Sequence, residues 1–165
     1  MKILFASDHG GFDLKRLLAA HARSLGHEVI DAGPHAADAV DYPDYAHDLA
    51  RRLLAGEAER GVLVCGTGIG MSIAANRHAG VRAALCHDAF TAEAARRHND
   101  ANVLCMGGRT TGPGVALQVL EAFLTAPFDG GRHERRVEKI ETAAQAGSSR
   151  SSDAPVVLAP KERQR

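Results

Sequence analysis

The sequence predicts an α/β protein with a single five-stranded parallel sheet. Short apolar runs alternate along the chain with stretches whose apolar residues have helical spacing, and this alternation occurs five times. The 165 residues, 45% hydrophobic and 24% charged, are typical of one globular domain with a substantial core. Because successive β–α units connect parallel strands, we expect a doubly wound, Rossmann-like sheet with helices on both faces and an additional C-terminal helix.

The predicted strands are apolar runs of four to six residues, at residues 2–7, 28–31, 61–65, 82–86 and 102–106. Apolar spacing and capping signals predict the helices. The first has a stripe of Leu14, Leu17, Leu18, His21 and Leu25, with Gly26 as its C-cap. The others begin at Pro43, after the glycine loop near Met71, after Asp88, at Val115 and at Arg132, the last running to Ala144.

The composition changes near Gly147, where a polar, serine-rich segment begins. We therefore predict one domain over residues 1–146 and a flexible tail over residues 147–165. No apolar run reaches the roughly 20 residues of a membrane-spanning helix, and the N-terminus does not have the pattern of a secretory signal. These observations predict no membrane association and a cytoplasmic location.

Charge and composition exclude some partners. The formal net charge is zero and aromatic residues make up 4%, which argues against nucleic-acid binding. The three cysteines form no CxxC pair, so we expect free thiols. Nine histidines raise the question of a metal site. Because no His-x-x-x-His pair occurs and the best local cluster is His87 between Cys86 and Asp88, we predict no metal.

Residues that immediately follow the strands are the first candidates for a site, because ligands of parallel sheets bind at the carboxyl ends of the strands. Polar and reactive side chains follow every predicted strand, in the segments 8–11, 31–33, 65–68, 86–88 and 107–109. Thiol, imidazole, carboxylate, hydroxyl and guanidinium groups are thus expected at one edge of the sheet.

Cys65 is the most informative of these residues. It ends a buried strand and is followed by Gly66, Thr67, Gly68, Ile69 and Gly70, after which a helix is predicted. A thiol beside a glycine loop and a helix N-terminus has surroundings that stabilise a thiolate and bind anions. The residues alone leave two roles open, nucleophile and general base. Cys86 and Cys105 have no such loop and are predicted to be core residues.

The glycine loop does not match the known nucleotide-binding loops. No Gly-Lys-Ser/Thr follows it, so it is not a P-loop. The dinucleotide fingerprint belongs after the first strand, where this chain has Asp8-His9-Gly10-Gly11, although Asp31 imitates the ribose-binding acid. A nucleotide-binding module therefore remains only an alternative.

Two further clusters are polar. Arg132 and Arg136 are four residues apart, which places them on one helix face, where two guanidinium groups can bind a phosphate. These residues alone favour a solvated charged face, paired with Glu134 and Glu138, over a phosphate site. His98 lies in the polar run 97–102, and an imidazole titrates near neutral pH and can act as an acid or base.

Together these motifs resemble the ribose-5-phosphate isomerase type B family, which also includes the galactose-6-phosphate isomerase subunits. Six segments in order over roughly residues 1–141 carry the resemblance, and they are residues 7–12, 41–46, 65–76, 98–104, 107–109 and 130–137. The resemblance implies an aldose–ketose isomerase in pentose phosphate metabolism that works through an enediolate without metal or cofactor. It also implies a cytoplasmic homodimer with shared active sites, leaving a larger oligomer open.

The resemblance also assigns roles to residues. Cys65 matches the base, Thr67 the residue that handles the hydroxyl proton, and His98 the ring-opening acid–base, with Asp8 assisting. Members that lack the cysteine have a carboxylate at the position of Met71, which a methionine cannot replace. The resemblance places the phosphate at His9, Arg109, Arg132 and Arg136, and the sugar at Tyr42, Asn99, Gly66, Gly68 and Gly70.

The substrate itself is left open. Ribose 5-phosphate is the expected substrate, with a hexose 6-phosphate, a tetrose 4-phosphate or a non-catalytic sugar-phosphate sensor as alternatives. A pure sensor has no need of Cys65 as a base, which favours the enzyme. Residues 33–40, which help to set the distance from carbonyl to phosphate, carry no readable specificity signal.

Overall fold

The computed structural model describes residues 1–148. Residues 147 and 148 of the predicted tail belong to the last helix, and the rest of the predicted tail, residues 149–165, lies outside the described residues. Five strands and six helices alternate in this part of the chain. The strands are β1 (Lys2–Ser7), β2 (Glu28–Asp31), β3 (Arg60–Cys65), β4 (Ala83–Leu85) and β5 (Val103–Gly107). The helices are α1 (Phe12–Ser24), α2 (Tyr42–Leu54), α3 (Ile69–Ala75), α4 (Ala89–Asn99), α5 (Pro113–Thr125) and α6 (Glu134–Ser148).

The strands form one sheet of order β2-β1-β3-β5-β4, and every neighbouring pair is parallel. The predicted fold class is therefore confirmed. The chain leaves β1 toward β2 on one side and returns to β3 on the other, so the order reverses between β1 and β3. Such a reversal opens a crevice at the carboxyl ends of the two strands, where ligands of doubly wound sheets bind.

Two apolar layers cover the sheet. Alternate residues of the central strands pack against α1, α4 and α5 on one face, with Phe5, Val64 and Leu104 fully buried there. The intervening residues pack against α2 and α3 on the other face, where Leu63 and Cys105 lie. This two-sided burial explains why the central strands are continuous apolar runs.

Several predicted boundaries are corrected by the structure. The fourth strand is only Ala83–Leu85, because the N–H of Arg82 is taken by the Asn102 side chain, at 2.8 Å, and Cys86 already enters the connection to α4. The predicted cap at Asp88 is confirmed, since its Oδ1 accepts the N–H of Thr91 at 2.8 Å. Pro43 lies in the first turn of α2, as predicted.

Helices α1 and α6 differ from prediction at particular residues. Leu17 and Leu25 were expected in the buried stripe of α1 but are 38% and 46% exposed. Lys15 is fully buried instead, because its ammonium group meets Asp31 Oδ1 at 2.6 Å. Helix α6 begins at Glu134 rather than Arg132, because Gly130 and Gly131 have φ of 63° and 56° and form a left-handed turn before it.

Candidate active site

The loops that follow β1, β3 and β5 lie in direct backbone contact at the carboxyl edge of the sheet. A side chain at Gly11 would overlap the carbonyl of Val64, and one at Gly108 would come within 2.5 Å of the Gly10 carbonyl. Only glycine permits such an approach. The paired glycines at 10–11 and 107–108 therefore draw three strand-end loops together around the crevice.

Cys65 lies at the centre of this edge. Its side chain is 4% exposed, and the N–H of Gly68 donates a hydrogen bond to its Sγ at 3.1 Å. Gly68 has φ of 78°, and a Cβ there would meet Leu85 and the Met106 backbone, so the loop conformation requires glycine. A backbone N–H directed at the sulfur holds the Cys65 side chain in one position at the crevice.

The loop beyond Cys65 offers further polar groups. Thr67 is exposed, and its Oγ1 accepts the N–H of Ile69 at 3.4 Å. The first turn of α3 has no side-chain cap on its N-cap residue, so its N–H groups after that of Ile69 are available to an anion. Met71 is fully buried, which agrees with its exclusion as a catalytic group.

Asp8 and His9 approach the thiol loop from β1. Asp8 is 8% exposed, and its Oδ1 accepts the N–H of Gly11 at 2.9 Å, which fixes the carboxylate. Val40 donates its N–H to Nδ1 of His9 at 3.4 Å. In a neutral imidazole this leaves the proton on Nε2, which can then donate to a ligand.

Arg109 and Tyr42 complete this side. A Cβ at Gly66 would lie 3.6 Å from Nη1 of Arg109, and a Cβ at Gly70 would lie 2.6 Å from the Tyr42 ring. Both side chains thus border the thiol loop. We call the residues assembled at this edge the Cys65 group: Asp8, His9, Tyr42, Cys65, Gly66, Thr67, Gly68, Gly70 and Arg109.

The remaining predicted site residues lie elsewhere. His98 and Asn99 end α4, which runs back from the carboxyl edge and precedes the first residue of β5. Cys65 is level with Gly107 at the far end of β5. Four residue steps of strand, about 13 Å, therefore separate the first residue of β5 from the level of Cys65, and His98 comes before that first residue in the chain. The two also belong to opposite faces of the sheet, since α4 covers the face away from α2 and α3.

Arg132 and Arg136 lie beside His98 rather than beside Cys65. The imidazole of His133, between them in sequence, stacks on that of His98 with ring centroids 4.4 Å apart and planes 9° from parallel. The segment is tied down by Asp129, whose N–H donates to the Arg97 carbonyl at 3.0 Å and whose carboxylate accepts from Arg97 Nε at 3.1 Å. We call His98, Asn99, Arg132 and Arg136 the His98 group.

One chain thus brings together nine of the predicted site residues and places the other four at the opposite edge. His98 and Asn99 do not join the Cys65 group because they precede a strand instead of following one. The helical spacing invoked for Arg132 and Arg136 is wrong, since Arg132 lies in the turn before α6.

The other candidates fall outside the Cys65 group. Burial raises the pKa of Cys86 to about 11 and raises that of Cys105 as well, which confirms both as core thiols. Asp31 follows β2, but its carboxylate is occupied by Lys15 and by the N–H of Gly33, at 2.9 Å. His87 is exposed, and Asp88 caps α4.

His98, Asp129 and His133 form a cluster whose polar atoms lie within 4.8 Å of one another. Nitrogen lone pairs lie in the plane of an imidazole ring, and these two planes are nearly parallel. They cannot converge on one metal ion without rotating a ring. Burial, with His98 and the neighbouring arginines, lowers the pKa of His133, which therefore stacks as a neutral ring.

Sequence reasoning missed His133, Arg82 and Asp129. His133 had a local signal, its place between two candidate phosphate ligands. Arg82 and Asp129 had none, because each acts through partners more than 15 residues away, such as Glu141 for Arg82 and Arg97 for Asp129.

The fold and the Cys65 group define a class: a doubly wound α/β protein with a thiol at a glycine loop, at the crevice where the strand order reverses. The family described as Ribose/Galactose Isomerase matches residues 3–140. The chain belongs to this family.

Relatives of known name and solved structures agree with this family membership. A putative sugar phosphate isomerase of Bacillus subtilis is 49% identical over 85% of this chain and 95% of its own. Ribose-5-phosphate isomerase B of Escherichia coli is 46% identical over 87% of this chain and 97% of its own length. The structure of ribose-5-phosphate isomerase B from Clostridium thermocellum is similar with a TM-score of 0.88, at 46% identity over 89% of this chain and 99% of that one. The structure of a ribose 5-phosphate isomerase from Thermotoga maritima is similar with a TM-score of 0.84, at 50% identity over 86% of this chain and 97% of that one.

Proposed function

We propose that this protein interconverts an aldose phosphate and a ketose phosphate, with ribose 5-phosphate and ribulose 5-phosphate as its substrates. Its family and its relatives named ribose-5-phosphate isomerase B support the reaction class. The observation that carries the proposal is the Cys65 thiol, which receives the Gly68 N–H at the head of the crevice. A binding protein would not need a thiol held in this way.

Ring opening is the first step of the proposed reaction. The sugar phosphate is mainly cyclic, and His98 moves a proton between the ring oxygen and the anomeric hydroxyl. Asp8, oriented by the Gly11 N–H, assists from the other side of the substrate. The stack of His133 on His98 fixes the plane of the imidazole. A fixed plane suits directional proton transfer.

Proton transfer between the two carbons follows. The Cys65 thiolate removes the proton next to the carbonyl, and negative charge moves to the carbonyl oxygen as an enediolate forms. The uncapped N–H groups in the first turn of α3 are positioned to stabilise that charge without rearrangement. Thr67 passes the proton between the two oxygens, and Cys65 returns its proton to the neighbouring carbon.

Phosphate binding involves both groups of residues. His9 Nε2 and Arg109 supply donors from the Cys65 group, and Arg132 and Arg136 supply guanidinium groups from the His98 group. Guanidinium groups bind phosphate oxygens in pairs with good geometry. Binding energy at this remote end of the substrate orients the carbons that react. Tyr42 and Asn99 contact the sugar hydroxyls between the two ends.

A homodimer completes the site in this proposal. Because the two groups lie at opposite edges of one chain, a symmetric pair of chains can place the His98 group of each against the Cys65 group of the other. An apolar surface is available for such a contact: Ile69 and Ile73, one turn apart on α3, are 52% and 58% exposed. A larger oligomer remains compatible with this pairing.

The residues of the site also leave no role for a metal or cofactor in the proposed chemistry. Within residues 1–148, no helix is long and apolar enough to cross a membrane. The cytoplasm remains the predicted compartment, and pentose phosphate metabolism the predicted pathway. Other sugar phosphates remain the alternative substrates, and a panel of tetrose, pentose and hexose phosphates decides among them by comparing kcat/KM.

Complementation between two inactive variants tests the proposal. Cys65→Ala removes the base, and we expect kcat to fall about 100- to 10,000-fold with ribose 5-phosphate. His98→Ala should be similarly impaired on the cyclic substrate. Co-expressed with different affinity tags and purified as the mixed dimer, the two variants should recover about half of the wild-type activity, because one of the two sites is then intact.

Two results would contradict the proposal in different ways. Near wild-type turnover by Cys65→Ala would show that Cys65 is not the base. Mixed dimers that stay inactive, while both variants are folded and dimeric, would show that the site is not shared between chains. Each homodimer alone serves as the matched control for the mixed dimer.

A further inference from the structure

Arg82 lies just before β4 and contacts two separate segments of the chain. Its Nη2 donates to Oδ2 of Asp100 at 2.9 Å, and its Nε donates to the Asp100 carbonyl, also at 2.9 Å. Its Nη1 donates to Oε1 of Glu141 at 2.6 Å. All three guanidinium nitrogens are therefore engaged, two by one segment and one by the other.

These contacts are shielded from water. The Arg82 side chain is 17% exposed and that of Glu141 is 23% exposed, so the ion pairs are screened less than surface pairs. The second oxygen of Glu141 accepts the N–H of Gly80 at 3.0 Å, which holds the carboxylate in place. A planar guanidinium with fixed acceptors on two sides is a geometric constraint as well as a charge.

Both segments held by Arg82 carry the His98 group. Asp100 directly follows His98 and Asn99, and with φ of 46° it ends α4 in a left-handed turn. Glu141 lies on α6, little more than one turn beyond Arg136. Arg82 is thus the common partner of the turn that presents the imidazole and the helix that continues the arginine segment.

We propose that Arg82 is a positioning residue that sets the His98 turn and the arginine segment in a fixed relation to each other. This inference rests on the proposed function, in which the His98 group acts on the partner's Cys65 group as one unit. The acid–base and the phosphate ligands must span one substrate molecule, so their separation has to be constant. Arg82 touches neither substrate nor reacting atoms.

The contacts of the Arg82 guanidinium with Glu141 and with Asp100 should affect different kinetic parameters. Glu141→Gln weakens the link to α6, so we expect KM for ribose 5-phosphate to rise with little change in kcat. Asp100→Asn weakens the link of the His98 turn to Arg82 and also its pair with Arg96, at 2.9 Å, while asparagine tolerates the left-handed conformation, so kcat should fall more than KM rises. Arg82→Met removes both links and should lower kcat/KM about tenfold or more.

Mixed dimers show whether Arg82 acts on the His98 group. Arg82→Met paired with Cys65→Ala should recover about half of the wild-type activity, because one site then combines an intact Cys65 group with an intact His98 group. Arg82→Met paired with His98→Ala should show no more than about half of the activity of the Arg82→Met homodimer, since both chains carry a defective His98 group. A variant that is merely unstable would complement neither partner.

Arg52→Met is the matched control, because Arg52 also joins two carboxylates, those of Asp48 and Glu57, but lies on α2 away from both groups. It should leave kcat and KM unchanged. Unchanged kcat/KM in Arg82→Met, or recovery with His98→Ala, overturns the proposal. If Arg82→Met does not fold, an unchanged KM in Glu141→Gln overturns it.

The proposed function can fail independently. If Cys65→Ala and His98→Ala do not complement each other, the shared site is wrong. The positioning role of Arg82 is then decided by the KM and kcat of its own homodimer and of the two single-side variants.

Discussion

The Cys65 group and the His98 group are built in different ways. The structure around Cys65 is formed mainly by the backbone. Glycines allow three loops to come into contact, and backbone N–H groups face the thiol and the crevice. Around His98 side chains hold the structure, through the Arg82 and Arg97 ion pairs and the stacked imidazoles. The first construction is intolerant of added atoms, whereas the second depends on charge and protonation.

The difference matches the chemistry proposed for each group. An enediolate needs dipoles that are already in place when charge develops, and a rigid backbone supplies them. Phosphate binding and ring opening use long side chains, which need partners to restrict them. The predictions below test whether this division between backbone and side chains holds.

The largest effect on the free energy of unfolding is expected for a substitution at Gly11. Gly11→Ala should lower the free energy of unfolding by about 3 kcal/mol or more, because its Cβ would overlap the Val64 carbonyl and neither backbone can give way easily. Gly114→Ala is the control, since a Cβ there meets no atom within 4 Å, and it should be neutral or stabilising. Urea unfolding of both variants measures the difference. Equal stabilities would contradict a backbone-built edge.

Asp31 tests the half-buried ion pair with Lys15 near the Cys65 group. Asp31→Asn removes the negative charge opposite the Lys15 ammonium, which is 0% exposed and also donates to the Pro34 carbonyl at 2.8 Å. We expect a loss of about 2 kcal/mol in the free energy of unfolding, reduced from the usual value for a broken buried pair because Asp31 itself reaches water.

Glu28→Gln is the control for Asp31→Asn, because Glu28 pairs with Lys2 at the surface of the same strand. Its removal should change stability by less than about 0.5 kcal/mol. If the two variants lose equal stability, the burial of Lys15 does not govern the energy of its pair.

The smallest effect is a dependence of stability on pH. Burial, with His47 and Arg51, lowers the pKa of His78, whose Nε2 lies 2.8 Å from Nδ1 of His47. The unfolded chain therefore binds the proton more tightly than the folded one. The contribution of His78 to the free energy of unfolding should be fully present above pH 6.5, the ordinary pKa of histidine. This contribution should decline as the pH falls below that value.

His78→Gln tests this by chemical unfolding at pH 7.5 and at about pH 5.5, one unit below the ordinary histidine pKa. The variant should lose less stability between the two values than the wild-type protein does. His133, whose pKa is also lowered, should keep part of the dependence in the variant. An unchanged slope would show that the histidine pair does not contribute.

Much of this protein was readable from its sequence. The order and type of the strands and helices and the Asp88 cap were predicted correctly, because each depends on residues close together in the chain. Apolar periodicity decides the type of an element, and the residue after a strand is placed at the carboxyl edge by connectivity alone. The amino-acid sequence therefore placed Asp8, Cys65 and Arg109 at one edge of the sheet, whereas Tyr42 entered only through the family resemblance.

Only the tertiary structure decided which residues join His98 and what holds them. The polar run 97–102 precedes a predicted strand, so connectivity puts it at the far edge, but only folding stacks His133 on His98 and brings the arginine segment beside it. Arg82 and Glu141 are 59 residues apart, and no local pattern links them. The glycines of the Cys65 loop are recognisable from neighbouring residues in the sequence, whereas the contacts that hold the opposite edge exist only once the chain has folded.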